Sequence, residues 1–425
     1  MAGAGLASAI ARPPGSAVAA ENSLAGLSEA EVPVRAITRG PGHHWFGYYD
    51  KLEFDASDRY VLTNRVDFEH RSPTARDVIQ VGMVDLERGD RWTRLGQSRA
   101  WGWQQGCMLQ WVPGAGRRVI WNDREGDRFV SRLLDVDSGS LRTLPMPIYA
   151  LTPDGLGAVT TDFARLNDLR PGYGYAGVAE AFADQRSPEG SGLWAMDLVT
   201  GATRLIFSLA QAAALPFRGQ PLPPRWHWFN HLLVSPDGRR MTFLHRWREQ
   251  RRGEAGFNPN GGFTTRMITL NLDGGEPWVL DPSGATSHFI WRDPEHLCAW
   301  TQPIGRKPGF YLLRDRTHEV QAVGEQAMTQ NGHNTYLPLP GSHWVLNDTY
   351  PAGVKRQQTP YLYHVPTGRR HDLGRFHSPK EYAGEWRCDT HPRSSRSGTM
   401  VAIDSPHGGE GRQVWLLDIK GIVGV

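Results

Sequence analysis

Turn signals recur along this chain at a spacing that few folds accept. An apolar strand closing on Asp-x-x-x-Gly occurs at Asp85 to Gly89, Asp135 to Gly139 and Asp197 to Gly201. Looser copies end at Gly274, Gly368 and Gly421. A second turn appears as Thr152-Pro153-Asp154-Gly155 and Ser235-Pro236-Asp237-Gly238. Both use the residue types that tight hairpins demand. Divided at these signals, the chain falls into seven units, at about 46–98, 101–145, 147–209, 226–282, 286–324, 327–375 and 385–424. A period of roughly 40–60 residues with four strands per unit predicts a β-propeller. The expected fold is therefore all-β, a seven-bladed β-propeller. Val34 to Thr38 is expected to add a strand to the last unit and close the ring, which removes exposed edges. That makes residues 34–425 a single propeller domain and residues 1–33 a flexible tail. Leu205 to Leu215 is the one helical pattern. Insertions at 165–192 and 248–263 interrupt the period, and on a propeller such excursions often wall a binding site.

Composition agrees and narrows the partners. The 48 Gly, 30 Pro and 16 Trp suit many short strands and turns. A net charge of +3 carries no global signal for nucleic acid or membrane surfaces. Three cysteines do not make a disulfide framework. No apolar run approaches the roughly 18 residues needed to span a bilayer. The Ala-rich start, Met1 to Arg12, lacks a basic n-region, so a cytoplasmic location is expected, with periplasmic or secreted as the alternative. Oligomeric state is left open.

Four histidines, His231, His288, His333 and His391, stand at one phase of four successive units, each four residues before a turn. Equivalent positions of a closed repeat converge near its axis, so these imidazoles are expected to share one small volume. The first three units carry Lys51, Met108 and Ile148 at that phase. Cys388 lies three residues before His391. Residues three apart in a strand face opposite sides, so joint ligation would need a bend, which Pro392 favours. A thiolate with His288, His333 and His391 would suit a divalent metal, zinc more than manganese.

A second cluster runs from Trp226 through His227, Asn230 and His231 and continues at His245 and Arg246. Imidazole, amide and guanidinium beside Trp are what an anionic sugar requires, since Arg holds a carboxylate in a fork. Further expected substrate contacts are His44, Tyr49, Arg124 and Arg128. The Gly172 to Gly177 segment matches G-x-G-x-x-G but lacks a βαβ context; it reads as an aromatic loop whose Tyr173 or Tyr175 reaches substrate. No G-x-S-x-G elbow occurs, which excludes a serine hydrolase of that type.

The motifs His227 to His231, Ser235 to Gly238, His245 to Trp247, Ser287 to Phe289 and Arg387 to Arg393 resemble those of the oligogalacturonate lyase family of propellers, and more loosely the ulvan lyases. The resemblance spans the repeats of nearly the whole chain, but its motifs lie in the second half. It implies β-elimination on a uronate-containing glycan with a divalent metal near the axis. It puts His288 and His391 at ligand positions, Cys388 where the family has glutamine, and Arg393 where it has another histidine. His333 is then either a further ligand or a substrate contact, and His231 takes the place of a family active-site histidine. Arg246 is then the expected carboxylate partner and Tyr175 the expected acid, with an acidic oligosaccharide or polysaccharide as substrate. Two other readings compete: a non-catalytic, TolB-like propeller scaffold, and a metal-dependent glycan hydrolase.

Overall fold

The computed structural model describes residues 26–114 and 116–424. Strands dominate it, and seven four-stranded antiparallel sheets follow one another in chain order. They begin at His43–Trp45, Gln110–Trp111, Ala150–Leu151, Trp226–Val234, Phe289–Asp293, Thr335–Tyr336 and Arg393–Ser394. The first five are meanders in which consecutive strands pair, and the insertions at 165–192 and 248–263 lie between neighbouring strands of the third and fourth. In the seventh sheet three strands come from the C-terminal region and the fourth is Val34–Ala36, paired with Gln413–Asp418. Sequence-distant ends of the chain thus share one sheet. The first and last sheets also touch. His44 N–H donates to Arg412 O at 2.9 Å, and Asp404 accepts the amides of Phe46 and Gly47 at 3.1 and 3.2 Å.

The sheets pack through apolar side chains that alternate along each strand. One cluster joins the second to fourth sheets around Tyr149, Phe163, Phe207, Phe229 and Phe243. Another packs Trp45, Trp101, Trp103 and Trp121 between the first two sheets.

Three features depart from the expectation. Residues 1–25, most of the expected tail, lie outside the described residues, but Glu29–Ala30 is already a short strand against Gly374–His377. The helical pattern at Leu205 to Leu215 is split: Thr203–Ser208 is a strand, and only Leu209–Ala214 is helical, started by a capping box between Ser208 and Gln211. A second helix, Phe163–Leu169, lies at the start of the 165–192 insertion, capped by Asp162 accepting from Arg165 N. Its sequence carries too few turns for periodicity to reveal it.

Candidate metal centre and its surroundings

The four histidines of the shared repeat phase do meet. Ring centroids lie 4.2 Å apart for His288–His333 and for His333–His391, and 6.0 Å apart for His231–His288. Each precedes or lies within the first strand of its sheet. His231 and His391 take left-handed backbone, with φ of 53° and 38°, and Met108 at the same phase of the second unit takes 55°. For non-glycine residues this conformation is costly and collects at functional sites. At His231 it coincides with a bulge, where pairing to Arg240–Arg248 shifts register between Asn230 and Leu233.

Three ligand atoms define the metal-capable group. His333, Asp389 and His391 each offer one atom, all within 4.8 Å of one another. His333 Nε2, Asp389 Oδ1 and His391 Nε2 are also buried without any hydrogen-bond partner. Buried polar atoms normally have partners, so an orphan on each of these three clustered residues fits a cation. The opposite nitrogen of His333 is fixed: its Nδ1 and backbone N–H donate to Asp348 Oδ1 at 2.9 and 2.8 Å. Thr390 Oγ1 donates to Asp348 Oδ2 at 2.6 Å. Although burial opposes its charge, Asp348 is held below the usual carboxylate range by His333 and Thr390. A carboxylate behind an imidazole sets its tautomer and raises its basicity, as at many metal sites. His288 uses Nδ1 on Asn331 Oδ1 at 3.0 Å, which directs Nε2 to be the acceptor.

Cys388 is outside this group. Its thiol is pushed up by burial, and the charges that bear on it are those of Arg412, Asp404 and Glu69. The strand-like alternation expected from spacing wins: Asp389, two residues before His391, shares its side, and Cys388, three before, does not. The donor set is therefore imidazole and carboxylate.

Around the group stand four tyrosines. Tyr48 OH lies 2.5 Å from His231 Nδ1, and its ring is 5.2 Å from that of His391. Tyr49 packs on His288 and His333 at 5.8 and 5.3 Å, its hydroxyl donating to Phe289 O, so it props the cluster from behind. Tyr350 lies 5.6 Å from His333. Tyr173 is 5.7 Å from His231 and accepts from Arg387 Nη2 at 2.8 Å. Burial opposes ionisation of Tyr173, but Arg387 and Arg170 overcome it and hold the phenol below its ordinary value.

Two buried arginines here have no carboxylate. Arg246 donates to Thr265 Oγ1 at 3.1 Å, and Arg170, 4.9 Å from the Tyr173 ring, donates to Pro259 O and Asn260. Burial, with Arg170 adding, pushes Arg246 down to about 10. Neighbouring desolvated cations without counter-charges favour an anionic ligand. His231 is held well below its ordinary value by burial and then by Arg246, so it is neutral at physiological pH.

The other sequence-predicted contacts lie elsewhere. Tyr175 is fully buried, stacked 4.2 Å from Phe163, with its hydroxyl accepting from Asn122 Nδ2; the tyrosine of this loop at the cluster is Tyr173. His227 and His245 form a core pair at 2.8 Å, and Arg266 Nε donates to His245 Nδ1 at 3.1 Å. Alternation alone would put His227 and His231, four residues apart, on one face; the bulge between Asn230 and Leu233 separates them. His44 packs on Trp92, 5.6 Å away. Arg124 ties Gly177 O to Ala75 O, and Arg128 begins the strand Arg128–Asp135 with a side chain 65% accessible. Asn230 supports His231 from behind, its Oδ1 accepting from His231 N and from Tyr149 OH at 2.9 Å. Arg393 is locked in ion pairs with Glu53 and Asp404. Sequence reasoning missed Tyr48, Asp348, Asp389, Arg170, Arg387 and Tyr350. Arg387 and Asp389, inside the Arg387 to Arg393 motif, and Tyr48, next to Tyr49, carried a local signal; the others carried none.

No family model matches the chain, and no curated protein matches it by sequence. Among solved structures, an oligogalacturonate lyase in complex with manganese superposes with a TM-score of 0.63 at 14% identity, covering 92% of this chain and 94% of its own. Oligogalacturonate lyase from Vibrio parahaemolyticus gives 0.63 at 13% identity, covering 91% and 94%. A puromycin-hydrolysing peptidase from Mycobacterium tuberculosis gives 0.51 at 15% identity, covering 87% of this chain and 51% of its own. The chain has an all-β, propeller-type fold, distantly similar over nearly its whole length to the oligogalacturonate lyases.

Proposed function

We propose that this protein is a metal-dependent lyase that cleaves a uronate-containing oligosaccharide or polysaccharide by β-elimination. The carrying observation is the juxtaposition of three orphaned ligand atoms, on His333, Asp389 and His391, with two uncompensated arginines and a neutral histidine. His333, Asp389 and His391 would hold a divalent ion, with His288 beside them. When bound, the ion would supply positive charge beside a uronate carboxylate and so acidify the proton α to it. With a carboxylate in place of the thiolate, the argument for zinc falls away, and the donor set suits manganese equally.

Arg246 and Arg170 would pair with the carboxylate, whose charge grows as the α proton leaves. His231, neutral through burial, takes that proton together with Tyr48, to which it is hydrogen-bonded at 2.5 Å. Tyr173 replaces Tyr175 as the group that protonates the leaving glycosidic oxygen, with Arg387 fixing its hydroxyl at 2.8 Å. The low exposure of every member, 4% or less for the four histidines and for Tyr48 and Tyr173, excludes competing water.

The seven sheets are read as seven blades of one ring, closed by Val34–Ala36, with residues 34–425 as one domain. The location proposed is cytoplasmic, with periplasmic or secreted as the alternative. The test is incubation of the metal-loaded protein with a panel of uronides, followed by absorbance and product mass. Elimination gives an unsaturated, ultraviolet-absorbing end; a product heavier by water and without that absorbance would mean hydrolysis. Uronide binding with no product would favour the non-catalytic scaffold.

A further inference from the structure

Tyr49 separates the histidine cluster from a cavity of about 250 Å³ on its other side. The walls of this cavity include Asp50, Lys51, Trp291, Thr335, Tyr336 and Arg393. Trp291, Thr335 and Arg393 lie two or three residues beyond His288, His333 and His391 along the same segments. The cavity therefore opens beyond the C-terminal side of the histidine layer, whereas Arg387 and Asp389 precede it.

Two buried polar atoms on this wall, Asp50 Oδ1 and Thr335 Oγ1, have no hydrogen-bond partner. The Asp50 and Lys51 side chains are only 6% and 3% exposed. Lys51 Nζ donates to Asp50 Oδ2 at 2.8 Å, and the nearest ring, Tyr149, is 5.2 Å from it, so ammonium protons are left over. The buried cations already have carboxylates: Lys51 has Asp50, and Arg393 has two, Glu53 at 2.9 and 3.0 Å and Asp404 at 2.9 Å. Arg396, at the rim, is exposed and solvated. An anion entering here finds no unpaired buried cation, but a neutral hydroxylated molecule finds a free carboxylate oxygen, a hydroxyl and spare ammonium protons. Trp291, Tyr336 and Phe54 add the apolar area that the carbon face of a sugar ring covers. The volume is below that of pockets for drug-sized ligands, so it suits a single ring.

We infer that this cavity is a second ligand site, separate from the histidine cluster, that takes a neutral monosaccharide. The test is calorimetry and ligand-observed NMR on the full chain with glucose, galactose and mannose, and with galacturonate as the charged comparison. At least one neutral hexose binds; Asp50→Asn and the near-isosteric Thr335→Val each weaken it about tenfold, the loss of one good hydrogen bond. His391→Ala, on the far side of Tyr49, leaves that affinity unchanged. Thermal melts establish that each variant is folded, and the Thr335→Val arm stands if Asp50→Asn does not fold. The inference is overturned if no neutral hexose binds, if binding survives both cavity substitutions, if His391→Ala abolishes it, or if galacturonate binds this site more tightly than the hexoses.

Discussion

At the scale of single residues, alternation along a strand decides most of the site. His231, His288, His333 and His391 were legible as a set because a repeat brings equal phases together, and their rings do lie 4.2 to 6.0 Å apart in sequence along the cluster. Their partners were not legible. Asp348 reaches His333 from just past the end of the next strand, and Tyr48 reaches His231 across 183 residues of chain, so no local pattern links them. Cys388 attracted attention by residue type, yet Asp389 has the side that counts. Two predictions follow from these placements. Tyr48→Phe and Tyr173→Phe should each lower kcat by about a hundredfold or more, as expected for loss of an acid–base group, whereas Tyr175→Phe should leave it unchanged and cost about 1 kcal/mol of stability through its bond to Asn122. Turnover measured on matched, folded variants checks both. Asp348→Asn should weaken metal affinity by about ten- to a hundredfold while the histidines stay in place, read by competition with a chelator.

Elements place these residues through features that a sequence pattern hides. The bulge after Asn230 turns His231 toward the cluster, and the same bulge leaves His227 and His245 facing core. The sequence grouped all of them because they are close along the chain; the register shift separates them in space. Arg266 shows what the core pair is for. It donates to His245 and also to Ala212 O, Leu215 O and Pro216 O, fastening the strand Phe263–Asn271 to the end of the helix Leu209–Ala214. Arg266→Ala leaves those acceptors and His245 without a donor and should cost roughly 2–4 kcal/mol. Urea unfolding would measure it, and the metal content of the folded variant should not change.

At the scale of the whole molecule, the turn spacing was the most informative signal: each of the first six expected units matches one four-stranded sheet, with edges displaced by a few residues, and the last supplies three strands of the seventh. The pairing of Val34–Ala36 with the last sheet was also readable, since an unpaired edge needs a partner. Deleting the chain through Ala36 should expose the edge of Gln413–Asp418, lower the melting temperature and promote association, seen by light scattering. Buried histidines make stability depend on pH. His44 and His227 are lowered by burial to about 3 and His407 to about 4, and His245 lies well below its ordinary value. Their folded values are below the unfolded value of 6.5, so between the two the unfolded chain binds more protons. Stability should be full above about pH 6.5 and fall as pH drops toward 4. A melting temperature flat across that range would contradict the assignment of these rings as buried and neutral.

The account rests most heavily on the three orphaned atoms of His333, Asp389 and His391, and elemental analysis of the protein after loading with manganese or zinc and desalting tests them most directly. About one divalent ion per chain is expected, lost in His333→Ala, His391→Ala and Asp389→Ala but retained in Cys388→Ala. No retained ion in the folded wild-type protein, or an ion lost with Cys388 and kept without Asp389, would contradict it.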